Sequence, residues 1–334
     1  MFIREHNVAI IITVYNNRYT RLIKYLSADT NLSNMADIIV FRQDNDPATE
    51  EDYYLIEPYY RRYTVVNCNA TDIRTKRRCY YDWGIKQGYD KILVLDDDIE
   101  PTCKHIDGIT KVKSGKNKVN QYWPTEDMLQ KIIEVSYKLD EEDKDWALLG
   151  CSHTAFLGIK ELSEEDIKRG YKLCKNSEMY TGLVMINIKR TKQILDLQYQ
   201  EGNIFEDKYF QLDCLLHGLN MYTFQNYAIY LKNEFSKNKD DSTVWIGENA
   251  KLNIEYCMLK QFKKYGGNIR LQPNGHLNVL FRKPSYLRQL GNTPIINTKK
   301  PTQVKIMNLL NQHEDLDNKE LLGQVINILK EEKQ

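Results

Sequence analysis

A short apolar run that ends in three consecutive aspartates constrains this chain most. Residues 92–95 read Ile-Leu-Val-Leu, which is the length and composition of a strand buried on both faces. Asp96, Asp97 and Asp98 follow at once, and Pro101 is expected to stop the strand from continuing. The carboxyl ends of such strands are where open α/β sheets bind ligands. The sequence therefore predicts a ligand site built on these acids.

The chemistry of the three acids points to a divalent cation. Strand side chains alternate, so Asp96 and Asp98 are predicted to point one way and Asp97 the other. Carboxylate oxygens suit Mg²⁺ or Mn²⁺, which usually keep coordination positions open for phosphates. The alternative is an acidic turn that caps the next segment, and the preceding apolar strand makes it the weaker interpretation.

Length, charge and cysteine content narrow the class of protein. The 334 residues are enough for one large or two modest domains, and the net charge of +1 gives no overall attraction to nucleic acid or membrane. The seven cysteines form no CxxC pair, so reduced thiols are the default. No apolar run approaches the roughly 18 residues of a membrane span. We expect a soluble, cytoplasmic protein without a membrane partner.

Alternating strand and helix signals predict an α/β fold. Helices are expected over 71–88, 126–139 and 190–197, from residue 206 to Gly218, and over 249–265. Beyond about residue 290 the chain changes to a linker and two short amphipathic helices. Strands are expected over 8–14, 37–41, 64–66, 92–95, 146–150, 183–188 and 221–231.

Several polar groups follow these elements. Arg74, Arg77 and Arg78 lie on one helix face, which suits phosphates or the acid triplet, although a solvated basic face is the alternative. Residues 102–121 are predicted to be a lysine-rich loop that is either a lid that contacts a polyanion or a solvated insertion. His153 follows a strand end. Glu206 and Asp207 open a helix, where capping alone would explain them, but a carboxylate opposite a metal site also suits a general base.

Four segments in fixed order resemble the GT-A glycosyltransferases of the family-2 type: ITVYNN (12–17), LVLDDD (93–98), YTGLVMIN (180–187) and FEDKYFQLDCLLHG (205–218). The resemblance covers roughly residues 5–235. It implies a Rossmann-like mixed sheet with helices on both faces, in a domain of residues 1–290 with a nucleotide-binding half over about 1–101 and an acceptor half over about 102–290. Residues 291–334 would be a linker and a small helical appendage.

The resemblance also implies roles for individual residues. The nucleotide base would meet Val14, Tyr15 and Asp44 or Asp46, although the RQDND sequence after the second strand departs from the family's usual acidic turn. Asp96 and Asp98 would hold Mn²⁺ or Mg²⁺, with His276 completing the metal shell, and Asp207 would be the base of an inverting enzyme. Arg74, Arg77, Arg78, Asp97, Gly182 and Glu206 are assigned to the nucleotide sugar, and Lys111, Lys113, Lys116, Lys118 and His153 to the acceptor.

The implied activity is sugar transfer from a nucleoside-diphosphate sugar, expected to be a UDP-sugar, to a hydroxyl group. The layout is similar, more narrowly, to phage-encoded glycosyltransferases that modify hydroxymethylated pyrimidines, which implies double-stranded DNA as acceptor in the host cytoplasm. A glycan or protein acceptor is the alternative. A nucleotidyltransferase, which normally has a glycine-rich loop where this chain has VYNNRYT, and a non-catalytic nucleotide-sugar binding module are the rival classes.

Overall fold

The fold is taken from a computed structural model, which describes residues 5–16, 30–54, 63–70, 73–97, 99–106, 121–153, 162–177, 179, 182–192, 206–231, 269–271, 277–279, 324 and 327. Its strands are β1 (Val8–Val14), β2 (Asp37–Gln43), β3 (Tyr63–Cys68), β4 (Lys91–Leu95), β5 (Ile99–His105), β6 (Gln121–Pro124), β7 (Trp146–His153), β8 (Leu173–Lys175), β9 (Leu183–Asn187), β10 (Asn220–Leu231), β11 (Ile269–Leu271) and β12 (Leu277–Val279). Its helices are α1 (Thr30–Ser33), α2 (Glu50–Tyr54), α3 (Ile73–Gln87), α4 (Thr125–Glu142), α5 (Glu164–Arg169), α6 (Ile188–Thr191) and α7 (Glu206–Leu216).

The described strands form a mixed sheet in the order β3-β2-β1-β4-β9-β7-β10-β5-β6, with β8 also paired to β10. The first four strands in this order are parallel. β9 is antiparallel to both β4 and β7, so β7 runs in the same direction as β4. The predicted α/β class with a mixed central sheet is confirmed.

Helices cover both faces of the sheet, because the side chains of β1 alternate between two cores. Ala9 and Ile11 pack in one core with α3 and α7, through Tyr80, Tyr81, Phe210 and Leu215. Val8, Ile10 and Ile12 pack in the other core with α4, through Met128, Leu129, Ile132 and Ile133. A strand buried on both faces must be apolar throughout, which explains the unbroken VAIIITV run.

Two predictions about the chain after the aspartates were wrong. Pro101 does not end a strand, because it lies inside β5 opposite a register shift of β10 between Ile229 and Leu231. Such irregularities tolerate a residue that has no backbone N–H. Lys104 was expected in the loop, but it is buried and its backbone pairs with Ala228 and Tyr122.

Several other predicted elements agree in place. The helix expected over 71–88 is α3, and the glycines expected to end α3 and α7, Gly88 and Gly218, adopt positive φ angles of 77° and 79°. The helix expected over 190–197 is described only as α6, which ends at Thr191, and residues 193–197 lie outside the described residues. The helix expected over 249–265 falls outside the described residues. Of the C-terminal appendage only Gln324 and Asn327 are described, both in helical conformation.

Candidate active site

One edge of the sheet collects the residues that the sequence singled out. The parallel strands β1, β2 and β4 all end at this edge. β9 begins there, since Leu183 pairs with Leu95, and β7 ends there. Val14, Tyr15, Asp44, Asp46, Asp96, Asp97, Gly182 and the backbone of His153 therefore lie along the same edge.

Asp96 and Asp97 are anchored to the end of β1. The Thr13 hydroxyl lies 3.2 Å from Asp96 Oδ1, and the Tyr15 N–H donates to Asp97 Oδ2 at 3.1 Å. The Asp96 N–H donates to the Gly182 carbonyl at 2.7 Å. Because β4 ends at Leu95, strand alternation does not apply to these two acids, and both carboxylates contact the β1 side. Asp98 lies outside the described residues.

Asp46 holds the turn after β1 in place. Its carboxylate accepts the Asn16 N–H at 2.7 Å, the Ala48 N–H at 3.0 Å and the Tyr53 hydroxyl at 2.7 Å. These bonds support Asn16 in a left-handed conformation with φ of 57°. Asp44 is exposed at the same strand end. Of the two acids assigned to the nucleotide base, Asp44 is therefore the one whose carboxylate faces solvent.

Two buried cations of α3 face the carboxylates. Arg77 is 7% exposed and its Nη2 lies 3.5 Å from Asp96 Oδ2. Lys76 is 5% exposed. Burial lowers the pKa of the Lys76 ammonium, and the nearby charges of Asp97 and Asp96 act in the opposite direction. Taken together, Lys76 and Arg77 form a positively charged wall beside the acids.

The arginines that the sequence grouped on one face have different surroundings. Arg78 is partly exposed and pairs with Asp82 at 2.7 Å on the outside of α3. The side chain of Arg74 lies outside what the structure describes. Lys76 was missed by the sequence analysis, although a signal was present: Lys76 and Arg77 precede the buried Tyr80 and Tyr81 by four residues, which places them on the buried face.

The N-termini of α3 and α7 both point to this edge. α3 leads through Gly88 into the start of β4, and α7 leads through Gly218 into the start of β10 at the opposite edge. The two helices are neighbours, since the Tyr81 and Phe210 rings meet edge to face at 6.1 Å. Glu206 and Asp207 therefore occupy the first turn of a helix whose N-terminus lies at this edge, where the helix dipole favours anions.

Most residues assigned to the acceptor lie outside the part of the chain that the structure describes. Lys111, Lys113, Lys116, Lys118 and His276 lie outside it, and so does the side chain of His153. The lysine-rich segment leaves the sheet at Ile106, after β5. β5 begins at Ile99, four residues after Leu95, and runs away from the aspartates, so that Ile106 lies about 20 Å along the strand from its start. The lysine-rich segment follows the aspartates in sequence, but its first residues, next to Ile106, do not lie beside Asp96 and Asp97.

The donor set at this edge fits a hard divalent cation. Asp96 and Asp97 offer carboxylate oxygens, which are the ligands that Mg²⁺ and Mn²⁺ prefer. The Asp96 side chain retains 19% exposure, so one side of its carboxylate is open to a ligand. Both acids offer oxygen ligands, whereas zinc sites favour the sulfur of cysteine and the nitrogen of histidine.

Comparison with known proteins gives distant structural likenesses only. No family model and no curated protein matches the chain. A mannosyltransferase from Pyrobaculum calidifontis, solved with GDP-Man and Mn²⁺, is 11% identical over 96% of this chain and 80% of its own, with a TM-score of 0.48. Glucosyl-3-phosphoglycerate synthase from Mycobacterium tuberculosis, solved with Mn²⁺ and UDP-glucose, is 9% identical over 84% and 91%, with a TM-score of 0.42.

A third solved structure, S. aureus TarS 1–349, is 10% identical over 83% of this chain and 98% of its own, with a TM-score of 0.42. Because all three TM-scores lie below 0.5, only the site itself can indicate the reaction.

Within the described part of the chain, no helix has the length and apolar character needed to cross a membrane.

Proposed function

We propose that this protein is a metal-dependent glycosyltransferase, which moves a sugar from a nucleoside-diphosphate sugar, a UDP-sugar in the first instance, to an acceptor hydroxyl with inversion. One observation carries the proposal. Two carboxylates at the end of β4 are bonded to the end of β1 and faced by two buried cations of α3. Carboxylates with cations beside them suit a diphosphate bound through a metal ion.

Each group has a role in the proposed reaction. Mn²⁺ or Mg²⁺ held by Asp96 and Asp98 would offset the negative charge that develops on the departing diphosphate. Lys76 and Arg77 donate hydrogen bonds to that diphosphate, and Val14, Tyr15 and Asp44 border the base. Asp207 takes the proton of the acceptor hydroxyl as the hydroxyl oxygen bonds to the anomeric carbon. The bond between that carbon and the diphosphate breaks, and the nucleoside diphosphate leaves with the electron pair.

The turn after β1 argues against the nucleotidyltransferase alternative. Enzymes that cradle a triphosphate on a glycine-rich loop use free backbone N–H groups to do so. Here the N–H groups of Tyr15 and Asn16 already donate to Asp97 and Asp46. The turn is therefore fixed by protein carboxylates, which leaves the diphosphate to the metal ion and to α3.

The experiment is a screen of UDP- and GDP-sugars with Mn²⁺, with Mg²⁺ and with a chelator. We expect release of nucleoside diphosphate from at least one sugar nucleotide, and only when the metal is present. Release of pyrophosphate from a nucleoside triphosphate and a sugar phosphate would instead establish a nucleotidyltransferase. Metal-dependent binding of sugar nucleotides without any turnover, even with acceptors added, would establish a binding module.

The acceptor that we propose is a hydroxymethylated base in double-stranded DNA, with a glycan or protein hydroxyl as the alternative. The support is the lysine-rich segment between β5 and β6, whose positive charge suits a phosphate backbone. Its root lies at the far end of β5 from the aspartates, so DNA bound there would extend along the acceptor half of the sheet.

A further inference from the structure

A fully buried amide joins α7 to the segment that enters β9. Gln211 is 1% exposed. Its Oε1 accepts the Met179 N–H at 3.4 Å, and its Nε2 donates to the Met179 carbonyl at 3.5 Å. One side chain therefore bonds both backbone groups of a residue in the connection between β8 and β9. A buried backbone group without a partner is costly, so this clamp fixes where Met179 sits relative to α7.

Met179 packs against the sheet, and it is close in sequence to Gly182, which binds Asp96. A Cβ atom placed on Gly150 of β7 would come within 3.1 Å of Met179 Sδ and 3.0 Å of the Leu183 carbonyl, so the packing there leaves no spare room. Three residues after Met179, the Gly182 carbonyl accepts the Asp96 N–H at 2.7 Å. A displacement of Met179 would therefore be passed to Asp96 through Gly182.

On the helix side, Gln211 lies one turn after Asp207, on the same face of α7. The preceding residue, Phe210, contacts Tyr81 of α3, which lies one turn after Arg77. This ring contact sets the second turn of α7 against the middle of α3. Gln211 then sets the position of α7 against the strand ends.

We propose that Gln211 is a positioning residue for sugar transfer: it fixes the distance between Asp207 at the start of α7 and Asp96 at the end of β4. The inference rests on the proposed function, because it assigns these two groups to opposite sides of the reacting sugar. A general base must lie within hydrogen-bond reach of the proton that it takes, and a shift of about 1 Å can lower the rate about a hundredfold.

Asn226 offers a matched control in β10. It is also 1% exposed, and its amide also clamps backbone groups: Oδ1 accepts the Lys172 N–H at 3.1 Å, and Nδ2 lies 3.3 Å from the Gly170 carbonyl. Nδ2 lies in addition 3.2 Å from His105 Nε2. β10 is three positions from β4 in the sheet. Replacing either amide with an apolar side chain of similar shape removes buried hydrogen bonds to two backbone groups, so Gln211→Met and Asn226→Leu should both lower the melting temperature.

The experiment measures kcat and KM for metal-dependent hydrolysis of the sugar nucleotide in both variants, well below their melting temperatures. We expect Gln211→Met to lower kcat about ten- to hundredfold with KM within about twofold of wild type, and Asn226→Leu to keep both constants within about twofold. Equal losses in the two variants, or an unchanged kcat in Gln211→Met, would overturn the proposal. If Gln211→Met does not fold, Gln211→Glu, which retains the acceptor for the Met179 N–H, is measured by the same criteria.

A second measurement separates this inference from the proposed function. Exchange of the Asp96 amide proton reports its bond to Gly182 without any need for activity. We expect faster exchange in Gln211→Met and wild-type exchange in Asn226→Leu. If the wild-type protein turned over no sugar nucleotide even with acceptors added, the proposed function would fail, and the comparison of amide exchange alone would decide whether Gln211 is coupled to Asp96. Unchanged exchange in Gln211→Met would then refute the coupling.

Discussion

Arg77 and Arg78 are consecutive residues of one helix with different surroundings. Arg77 is buried against Asp96, whereas Arg78 pairs with Asp82 at the surface. Successive side chains point about 100° apart around a helix, and here this turn carries Arg78 away from Asp96 and toward Asp82. The proposed diphosphate contact therefore belongs to Arg77.

This difference gives a prediction with its control next to it in sequence. Arg77→Met should weaken binding of the nucleoside diphosphate about ten- to hundredfold, because a hydrogen bond to a charged group contributes about 1.5–3 kcal/mol. Arg78→Met should change binding by less than about threefold, since the exposed pair with Asp82 contributes little. Calorimetric titration measures the affinity of both variants for the nucleoside diphosphate. Equal losses of affinity in the two variants would show that Arg77 does not contact the diphosphate.

Asp207 carries a separate prediction. Asp207→Asn keeps the size of the side chain but removes the base, so kcat should fall about 10²- to 10⁴-fold while the affinity for the sugar nucleotide stays near that of wild type. Steady-state kinetics with a direct binding measurement test this. A loss confined to donor affinity would reassign Asp207 to sugar recognition.

Side chains at the site were only partly predictable from sequence. The acids were found because three carboxylates after an apolar strand are unusual, but Lys76 was missed because the arginines were grouped by their own spacing. The spacing that matters runs from Lys76 and Arg77 to Tyr80 and Tyr81, since only the buried aromatic residues show which face of α3 is covered. The bonds of Asp46 to Asn16 and Tyr53 join elements distant in sequence and leave no local pattern.

At the level of elements, Asp143 joins the end of α4 to β8 and β10. Its Oδ2 accepts the Tyr222 hydroxyl at 2.6 Å, the Asn220 amide at 2.6 Å and the Lys175 ammonium at 3.0 Å. Burial alone would raise the pKa of Asp143, but hydrogen bonds from Tyr222, the Asp145 N–H, Lys175 and Asn220 together lower it from 3.8 to about 2.

The lowered pKa of Asp143 predicts how stability changes in acid. Between 3.8 and about 2 the unfolded chain binds the proton more readily than the folded protein, so the contribution of Asp143 is fully present above pH 3.8 and is lost as pH falls through about 2. Urea unfolding at several pH values should show a shallower loss of stability in Asp143→Asn than in wild type. Asp145→Asn, which removes an exposed neighbouring carboxylate, is the control. Equal slopes for Asp143→Asn and wild type would contradict the assignment.

Strands and helices were predictable where burial leaves a pattern in the local sequence. The apolar runs of β1, β4 and β9 identify strands covered on both faces, and glycines mark the ends of α3 and α7. β5 was missed because Pro101 and the polar residues near it resemble a loop, and the register shift of β10 that accommodates Pro101 is a property of the partner strand.

At the level of the whole molecule, the site forms because distant strands meet at one sheet edge. Residues of β1, β4 and β9 come together there although they are up to about 170 positions apart in the chain. The strand order also separates groups that are close in sequence, since β4 and β5 are consecutive in the chain and four positions apart in the sheet. The sequence predicted that the site lies at the carboxyl edge of the sheet, but it did not predict that β4 and β5 lie apart in the sheet.

The DNA hypothesis predicts a salt dependence. If Lys111, Lys113, Lys116 and Lys118 contact phosphates, affinity for hydroxymethylated duplexes should fall linearly in log salt, and each lysine changed to Ser should reduce the slope by about one unit at most. Filter binding at several salt concentrations measures the slope. No binding by the wild-type protein at low salt would exclude DNA and leave a glycan or protein acceptor.

The central claim is that Asp96 helps to hold a metal ion through which the nucleoside diphosphate binds. Calorimetric titration of UDP and GDP into the wild-type protein, with Mn²⁺ and with a chelator, tests this most directly. We expect binding of one nucleotide with Mn²⁺ only, its loss in folded Asp96→Asn and Asp98→Ala, and its retention in Asp90→Asn, which alters the acid paired with Lys189 at the other end of β4. Equal affinity in the chelator, or in Asp96→Asn, would contradict the account.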